Sequence, residues 1–167
     1  MLTLPTLVAE IAARLEERKL MLATAESCTG GLMAHVLTNV SGSSAWFAGG
    51  VVAYSNALKE ILLGVDKNVV ASHGAVSEEC VRAMARGVCS KLGTGVGIAV
   101  SGIAGPTGGT PEKPVGTVWI GWALEDIVWA ERFQFEGNRE EIKVQAVRAG
   151  LKGLVDAFRK IVSSEQE

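Results

Sequence analysis

Short apolar runs alternate with amphipathic segments in the first half of the chain, and this alternation constrains the fold more than any other feature. The run Leu20–Ala25 stops at a glycine turn, Glu26–Gly31, and apolar residues at helical spacing resume at Leu32. The strand-forming segment Trp46–Tyr54 is followed in the same way by Ser55, which can cap a helix. Strands and helices in alternation predict an α/β fold in which helices cover a sheet.

The second half of the chain favours a sheet in which some strands are antiparallel. Two strand-like segments, Val115–Leu124 and Ile127–Phe135, are separated only by Glu125 and Asp126, which is typical of a hairpin. The other predicted elements are helices at Thr6–Arg18, after Ser55, after Ser77 and after Asn138, and a strand at Val96–Val100. The order α-β-α-β-α-α-β-β-β-α therefore predicts a mixed sheet covered by helices.

The size and composition of the chain fit one domain. Its 167 residues, 48% hydrophobic and 20% charged, are enough for one compact core and too few for two ordinary domains. We expect a single domain over 1–167, with a core in about residues 5–162 and a polar tail at 163–167.

Charge and hydropathy exclude several classes of function. The formal net charge of −2 supplies no basic excess for a nucleic-acid backbone, so we expect no nucleic-acid partner. Gly, Ser, Lys or Glu interrupts every apolar run before the roughly 20 residues that a membrane span needs, and the N-terminus lacks the basic region of a secretory signal. We therefore expect a cytoplasmic protein whose glycine-containing loops bind a small molecule.

The cysteines and histidines do not indicate a metal site or a disulfide framework. Cys28, Cys80 and Cys89 are odd in number and lack CxxC spacing, which predicts reduced thiols. Only His35 and His73 are present, so we expect no catalytic metal. His73 has no neighbouring acid to orient it and is interpreted as a loop residue.

The glycine turn after the first strand could bind an anion. Gly30 and Gly31 would let backbone N–H groups approach a phosphate or carboxylate, and the hydroxyls of Ser27 and Thr29 could add donors. Alternatively, a hydroxyl simply caps the following helix while the glycines permit the turn. Cys28 lies at the same helix start as a potential nucleophile, although a buried structural thiol fits the sequence better.

Hydroxyls and a lysine flank the second predicted strand. Ser41, Ser43 and Ser44 precede the strand, Tyr54 ends it, and Lys59 follows on the first turns of the next helix. A serine becomes a strong nucleophile when a neighbouring base accepts its proton, and a lysine can be that base if burial keeps its amine neutral. The alternative is a serine-rich turn, a tyrosine at the edge of the core and a solvated lysine.

The segment Ser101–Pro114 is too rich in glycine and proline for regular structure and is predicted to be a long loop. A loop of this length is uncommon unless it binds something, so its backbone amides are candidate ligand or oxyanion donors. Lys113 in this loop could face an anion or be solvated. At the start of the last helix, Arg139 and Lys143 lie one turn apart and could bind a phosphate, unless they pair with acids of the same helix.

Several segments in register resemble one family. They are Ala25–Gly31, Gly42–Phe47, Tyr54–Asn56 with Lys59, His73–Ser77, Ser101–Pro106 and Lys113–Val118. These motifs resemble the CinA C-terminal domain family, whose enzymatic members are nicotinamide mononucleotide deamidases. The resemblance implies a three-layer α/β/α domain that hydrolyses the nicotinamide carboxamide to a carboxylate with release of ammonia. It also implies no metal or organic cofactor, and a homodimer or higher homo-oligomer.

The resemblance further implies roles for residues of this chain. Ser44 matches the family's nucleophile, Lys59 matches its base and Tyr54 an assisting residue, with Ser43 as the alternative nucleophile. The expected substrate contacts are Ser27, Thr29, Gly30, Gly31, Ser43, Ser101, Gly102, Ala104, Gly105 and Arg139.

Arg139 is expected to hold the 5′-phosphate of the substrate. The chain departs from the family pattern beside it, because Asn138 and Lys143 stand where the family usually has aspartate and arginine, and a lysine lacks bidentate geometry.

Two other functions remain compatible with the sequence. They are a non-catalytic nucleotide-binding or competence-linked interaction module, and a serine amidase that acts on another small amide.

Overall fold

The computed structural model describes residues 1–166, which contain five strands and six α-helices. The elements are α1 (Leu4–Arg18), β1 (Leu22–Glu26), α2 (Leu32–Thr38), β2 (Phe47–Val52), α3 (Asn56–Leu63), α4 (Lys67–His73), α5 (Glu78–Leu92), β3 (Val96–Gly102), β4 (Thr117–Leu124), β5 (Ile127–Gln134) and α6 (Arg139–Glu165). A short 3-10 turn, Ser43–Ala45, precedes β2. Each predicted strand is present, although β4 begins at Thr117 rather than at Val115.

The sheet is mixed, with the strand order β2-β1-β3-β4-β5. β1 pairs in parallel with β2 and β3, while β4 is antiparallel to both β3 and β5. The predicted mixed sheet is therefore confirmed. Because β1, β2 and β3 are parallel, their last residues meet at one end of the sheet, called the carboxyl edge below, and the segments that precede them lie at the opposite, amino edge.

Helices cover both faces of the sheet. Larger apolar side chains such as Ile98 pack against α1, α2 and α6 on one face. On the other face, small residues such as Ala25 and Ala99 pack against α3, α4 and α5. A Cβ added at Gly121 of β4 would lie 2.5 Å from the carbonyl oxygen of Val81, so the glycine lets α5 approach the sheet closely. The result is the three-layer α/β/α arrangement that the family resemblance implied.

Helix α4 was not predicted from the sequence. It is only seven residues long, which is too short for apolar periodicity to reveal it, and it begins where the Asp66 carboxylate accepts a hydrogen bond from the backbone N–H of Asn68. Its last residue is His73, which lies 3.6 Å from the Glu79 carboxylate between Nδ1 and Oε1. The interpretation of His73 as a loop residue without a neighbouring acid is therefore wrong.

Helix α6 is longer than expected. It starts at the predicted cap, because the Asn138 side chain accepts a hydrogen bond from the Glu141 N–H and the Glu141 carboxylate accepts one from the Asn138 N–H. It then continues through Glu165, so residues 163–165 of the expected polar tail are helical. Glu167 of that tail lies outside the described residues. Over residues 1–166, no helix combines the length and apolar character needed to cross a membrane.

Candidate active site

A cavity of about 360 Å³ opens at the carboxyl edge of the sheet, where β1 and β3 end. Its walls also include the start of α3, the segment before α5, the loop after β3 and the first residue of α6. The predicted site residues that line it are Ser27, Tyr54, Lys59, Ser101, Gly102, Ala104, Gly105 and Arg139. The fold thus brings four separated stretches of sequence to one place.

Lys59 is buried at the base of this cavity, with 1% of its surface exposed. Its Nζ donates to Ser27 Oγ at 3.1 Å and to the backbone carbonyls of Ala53 at 3.1 Å and Tyr54 at 3.3 Å. Burial lowers the pKa of the Lys59 amine, because the charged form loses hydration. An amine held in this way is poised to accept a proton from the Ser27 hydroxyl.

Local structure fixes both partners of this pair. Ser27 is the first residue after β1, and its N–H extends the sheet by donating to the carbonyl of Val100 on β3 at 2.9 Å. Lys59 lies on the first turn of α3, which begins where the Ser55 hydroxyl accepts a hydrogen bond from the Leu58 N–H at 3.2 Å. The strand end and the helix start therefore hold the hydroxyl and the amine in contact.

Ser43 and Ser44 lie away from this cavity. Both are in the 3-10 turn before β2, at the amino edge, whereas Lys59 follows β2 at the carboxyl edge. β2 has six residues, which span roughly 20 Å at about 3.3 Å per residue. Neither hydroxyl can reach the Lys59 amine of the same chain. The expected pairing of Ser44 with Lys59, and the alternative with Ser43, are therefore wrong, and Ser27 takes that position.

Glu26 supports the site from outside the cavity, a role that the sequence analysis missed. It is buried at the end of β1, and its carboxylate accepts hydrogen bonds from Thr29 Oγ1 at 2.7 Å and from the N–H groups of Met33 at 2.8 Å and Ala34 at 3.1 Å. These N–H groups begin α2, whose N-cap is Gly31 and provides no side chain. The protein's own carboxylate thus fills the expected anion site. The available signal was an acid ending an apolar strand directly before a glycine turn.

The turn residues Thr29, Gly30 and Gly31 do not line the cavity. Thr29 is fully buried against Glu26, and the glycines have φ values of 60° and 99°, a region that favours glycine over other residues. The structure supports the alternative in which these residues shape the turn, and the expectation that they contact a ligand in this cavity is wrong. Lys143 reaches over the turn, with Nζ 3.7 Å from the position of a Cβ at Gly30.

Cys28 lines the cavity beside Ser27 and is buried, with 6% of its surface exposed. Burial raises the pKa of its thiol to about 12, so the thiol is protonated and unreactive at neutral pH. Cys28, Cys80 and Cys89 are all free thiols, as predicted. No cluster of three His, Cys, Asp or Glu side chains suited to a metal ion occurs in the part of the chain that the structure describes.

Arg139 bridges the mouth of the cavity. Its guanidinium donates to the Gly105 carbonyl at 2.8 Å and to the Tyr54 hydroxyl oxygen at 3.0 Å. Within residues 1–166, Arg139 forms no ion pair with an acid of its own helix, which was the alternative prediction. Tyr54 has 59% of its surface exposed, so this bridge lies at the solvent boundary. A cation on the wall of the same cavity as the Ser27–Lys59 pair could hold an anionic end of a ligand.

Besides the Arg139 bond to Gly105, further side-chain hydrogen bonds tie down the loop after β3. The Lys113 Nζ donates to the His73 carbonyl at the end of α4 at 3.0 Å, and the Arg132 guanidinium of β5 donates to the Glu112 carbonyl at 2.9 Å. Lys113 therefore binds a helix C-terminus instead of facing an anion. These contacts hold Ala104 and Gly105 as a wall of the cavity.

Comparison with known proteins gives one consistent result. A family model described as the CinA C-terminal domain matches residues 5–158. A nicotinamide-nucleotide amidohydrolase PncC from Pseudomonas putida is 49% identical over 150 residues, covering 90% of this chain and 94% of that protein. A CinA-like protein from Gemmatimonas aurantiaca is 52% identical over 143 residues, covering 86% of this chain but only 33% of that protein. The chain thus spans about a third of the length of this last relative.

Solved structures agree with the sequence relatives. A competence-damaged protein (CinA) superfamily protein from Enterobacter cloacae superposes with a TM-score of 0.92 at 34% identity, covering 95% of this chain and 94% of that one. The competence damage-inducible protein A from Klebsiella pneumoniae superposes with a TM-score of 0.87 at 41% identity, covering 90% of this chain and 93% of that one.

Proposed function

Because the chain belongs to the CinA C-terminal domain family, we propose that it hydrolyses the carboxamide of nicotinamide mononucleotide, giving nicotinic acid mononucleotide and ammonia. The single observation that carries the proposal is the Ser27 hydroxyl, 3.1 Å from the buried Lys59 amine inside the cavity. Relatives that match this chain over nearly their whole length, from Pseudomonas putida and Enterobacter agglomerans, carry the name nicotinamide-nucleotide amidohydrolase. The reaction would return a pyridine nucleotide to NAD synthesis in the cytoplasm.

Proton transfer between Ser27 and Lys59 starts the proposed reaction. The carbonyls of Ala53 and Tyr54 accept two hydrogens of the Lys59 amine in either protonation state. When the amine is neutral, its lone pair faces Ser27 and accepts the hydroxyl proton, while Ser27 Oγ forms a bond to the amide carbon. Lys59 then gives this proton to the amide nitrogen as the C–N bond breaks and ammonia leaves. Water hydrolyses the resulting ester by the same proton relay.

Backbone donors on the loop wall would stabilise the oxyanion. The N–H of Ser27 is bonded to Val100 and the N–H of Ile103 is bonded to Thr117, so neither can serve. The N–H groups of Ala104 and Gly105 have no hydrogen-bond partner within residues 1–166 and lie on the cavity wall. We propose these two groups, on the loop wall beside Ser101, as the oxyanion donors.

Arg139 would bind the 5′-phosphate. A phosphate is a stronger acceptor for the guanidinium than the neutral Tyr54 hydroxyl that it contacts in this structure. With the carboxamide at Ser27 and the phosphate at Arg139, the nucleotide would span the cavity from its base to its mouth. This chemistry needs no metal or organic cofactor. We also propose that the chain forms a homodimer or higher homo-oligomer, which size measurement in solution would test.

The test compares three serine and lysine variants of verified fold. Purified protein is incubated with nicotinamide mononucleotide, and ammonia and nicotinic acid mononucleotide are quantified together. We expect equal amounts of both products from the wild type, loss of at least about 10³-fold in rate for Ser27→Ala and Lys59→Ala, and an unchanged rate for Ser44→Ala.

Each failure of this test has its own meaning. Loss of activity in Ser44→Ala with retention in Ser27→Ala would overturn the assigned nucleophile. A folded wild type that binds the nucleotide but releases no ammonia would leave a non-catalytic binding module. Equal turnover of free nicotinamide would indicate an amidase that does not read the phosphate.

A further inference from the structure

We propose that the hydroxyl of Ser101 binds the amide nitrogen of the substrate beside Ser27, and so makes the site selective for amides over esters. The inference rests on the proposed amidohydrolase function and adds a specificity-determining residue to it. Three observations support it, namely the position of Ser101 beside Ser27 in the sheet, the absence of a hydrogen-bond partner for its hydroxyl in the described chain, and the donor-only character of the Ala104 and Gly105 N–H groups.

The register of the sheet places Ser101 next to Ser27. Glu26 of β1 pairs with Val100 of β3 in parallel register, and the Ser27 N–H donates to the Val100 carbonyl. Ser27 and Ser101 directly follow this pair, so they lie side by side on neighbouring strands that are about 4.8 Å apart. Their side chains lie on the same face of the sheet. Both line the cavity.

Ser101 is a buried residue whose hydroxyl opens onto the cavity and has no partner in the described chain. Only 2% of the residue is exposed, and its Oγ makes no hydrogen bond to any atom in the described chain. The buried hydroxyls of Thr29, Ser77 and Thr117 make hydrogen bonds, whereas that of Thr24 on β1, which does not line the cavity, has none. A hydroxyl without a protein partner keeps its hydrogen and both lone pairs free for a bound molecule. Since this one borders the cavity, a ligand is the available partner.

The chemistry of the reacting amide selects the nitrogen as that partner. The carbonyl oxygen is served by the free N–H groups of Ala104 and Gly105, which are donors only. The amide nitrogen carries two hydrogens and needs acceptors, which a hydroxyl can supply. If Ser101 accepts one N–H, the nitrogen of the tetrahedral adduct is held with its lone pair free to take the proton from Lys59. Ser101 would thus help ammonia to leave.

The experiment compares two substrates that differ only in the leaving group. The nucleotide amide and the methyl ester of nicotinic acid mononucleotide are each assayed with wild type and Ser101→Ala, because the ester oxygen carries no hydrogen for Ser101 to accept. We expect kcat/KM for the amide to fall by about 10- to 100-fold in Ser101→Ala, and kcat/KM for the ester to fall by less than about threefold. Ser90→Ala, on the exposed surface of α5, is the matched control and should change neither.

Thermal unfolding separates this role from a structural one. Removing a hydroxyl that has no protein partner should leave the melting temperature of Ser101→Ala equal to that of the wild type or higher, whereas a structural hydroxyl would lower it. An equal loss on amide and ester, or a lower melting temperature with a proportional loss of activity, would overturn the role of Ser101 alone. A wild type that hydrolyses neither substrate would overturn the proposed function, and the inference with it.

Discussion

At the scale of single residues, the pKa of Lys59 determines how the rate should depend on pH. Burial lowers this pKa, and only the neutral amine can take the Ser27 proton. We therefore expect kcat/KM for the nucleotide to rise with pH and to level off with an apparent pKa below the ordinary lysine value of about 10.4. A pH–rate profile measures it. Lys59→Arg, which stays charged, should be inactive at every pH. A rise in kcat/KM centred at the ordinary pKa of lysine would contradict the role of Lys59 as the base.

The buried carboxylate of Glu26 should stabilise the turn that carries Ser27. Glu26→Gln keeps the size of the side chain but turns an N–H donor toward the N–H groups of α2, which leaves at least one buried donor unpaired. We expect the free energy of unfolding to fall by about 1–3 kcal/mol, measured by denaturant titration. The matched control is Glu16→Gln on the exposed face of α1, which should have no measurable effect. Equal stability of the two variants would show that the carboxylate is not needed there.

The types of residue in the site were predictable, but the pairing between them was not. The sequence predicts that a buried lysine could activate a serine, and the structure has such a contact at Lys59. The family resemblance implied Ser44 as the partner of Lys59, and the order of residues along the chain did not exclude it. β2 excludes the pairing of Ser44 with Lys59, because the two residues lie at opposite ends of this strand. β2 runs parallel to β1, so Lys59 lies at the same edge of the sheet as Ser27.

At the scale of secondary structure, the cap of α3 should affect catalysis because it positions Lys59. Ser55→Ala removes the acceptor for the Leu58 N–H and should lower the free energy of unfolding by about 1 kcal/mol. We also expect a lower kcat with little change in KM, since the lysine amine moves while the cavity mouth is unaffected. Ser55→Asp, which caps as well, should restore both. An unchanged kcat in a destabilised Ser55→Ala would contradict the coupling.

Helices with a side-chain cap and a long apolar face were predictable. Ser55, Ser77 and Asn138 were each expected to begin a helix, and each accepts a hydrogen bond from the first turn of one. Helix α2 has Gly31 at its N-cap, which offers no side chain. The carboxylate of Glu26 accepts a hydrogen bond from the Met33 N–H instead. Such a cap lies outside the usual N-cap position, so its sequence signal is the acid before the glycine turn rather than a capping residue.

At the scale of the whole molecule, the sequence predicts the layers but not the order of the strands. The alternation of elements indicates helices on a mixed sheet, and the hairpin of β4 and β5 is evident from its two-residue connection. Nothing local indicates that β1 lies between β2 and β3. That order places the ends of β1 and β3 side by side and creates the cavity between them. The candidate site is therefore a property of the assembled sheet.

Arg139 joins the three parts of the molecule that form the cavity mouth, namely the start of α6, the end of β2 and the loop after β3. If Arg139 holds the 5′-phosphate, it should strengthen the binding of phosphorylated substrates only. We expect Arg139→Met to raise KM for nicotinamide mononucleotide by about 10- to 100-fold, because a charge-assisted contact is lost. KM for nicotinamide riboside, which lacks the phosphate, should change by less than about threefold.

Steady-state kinetics on both substrates separate phosphate binding by Arg139 from a structural effect. The matched control is Arg86→Met on the exposed surface of α5, which should leave both KM values unchanged. Arg139→Lys keeps the charge but cannot contact two acceptors in a fork, so it should fall between wild type and Arg139→Met for the nucleotide. If Arg139→Met weakened the riboside as much as the nucleotide, the arginine would act by holding the loop against Tyr54, and the phosphate would bind elsewhere.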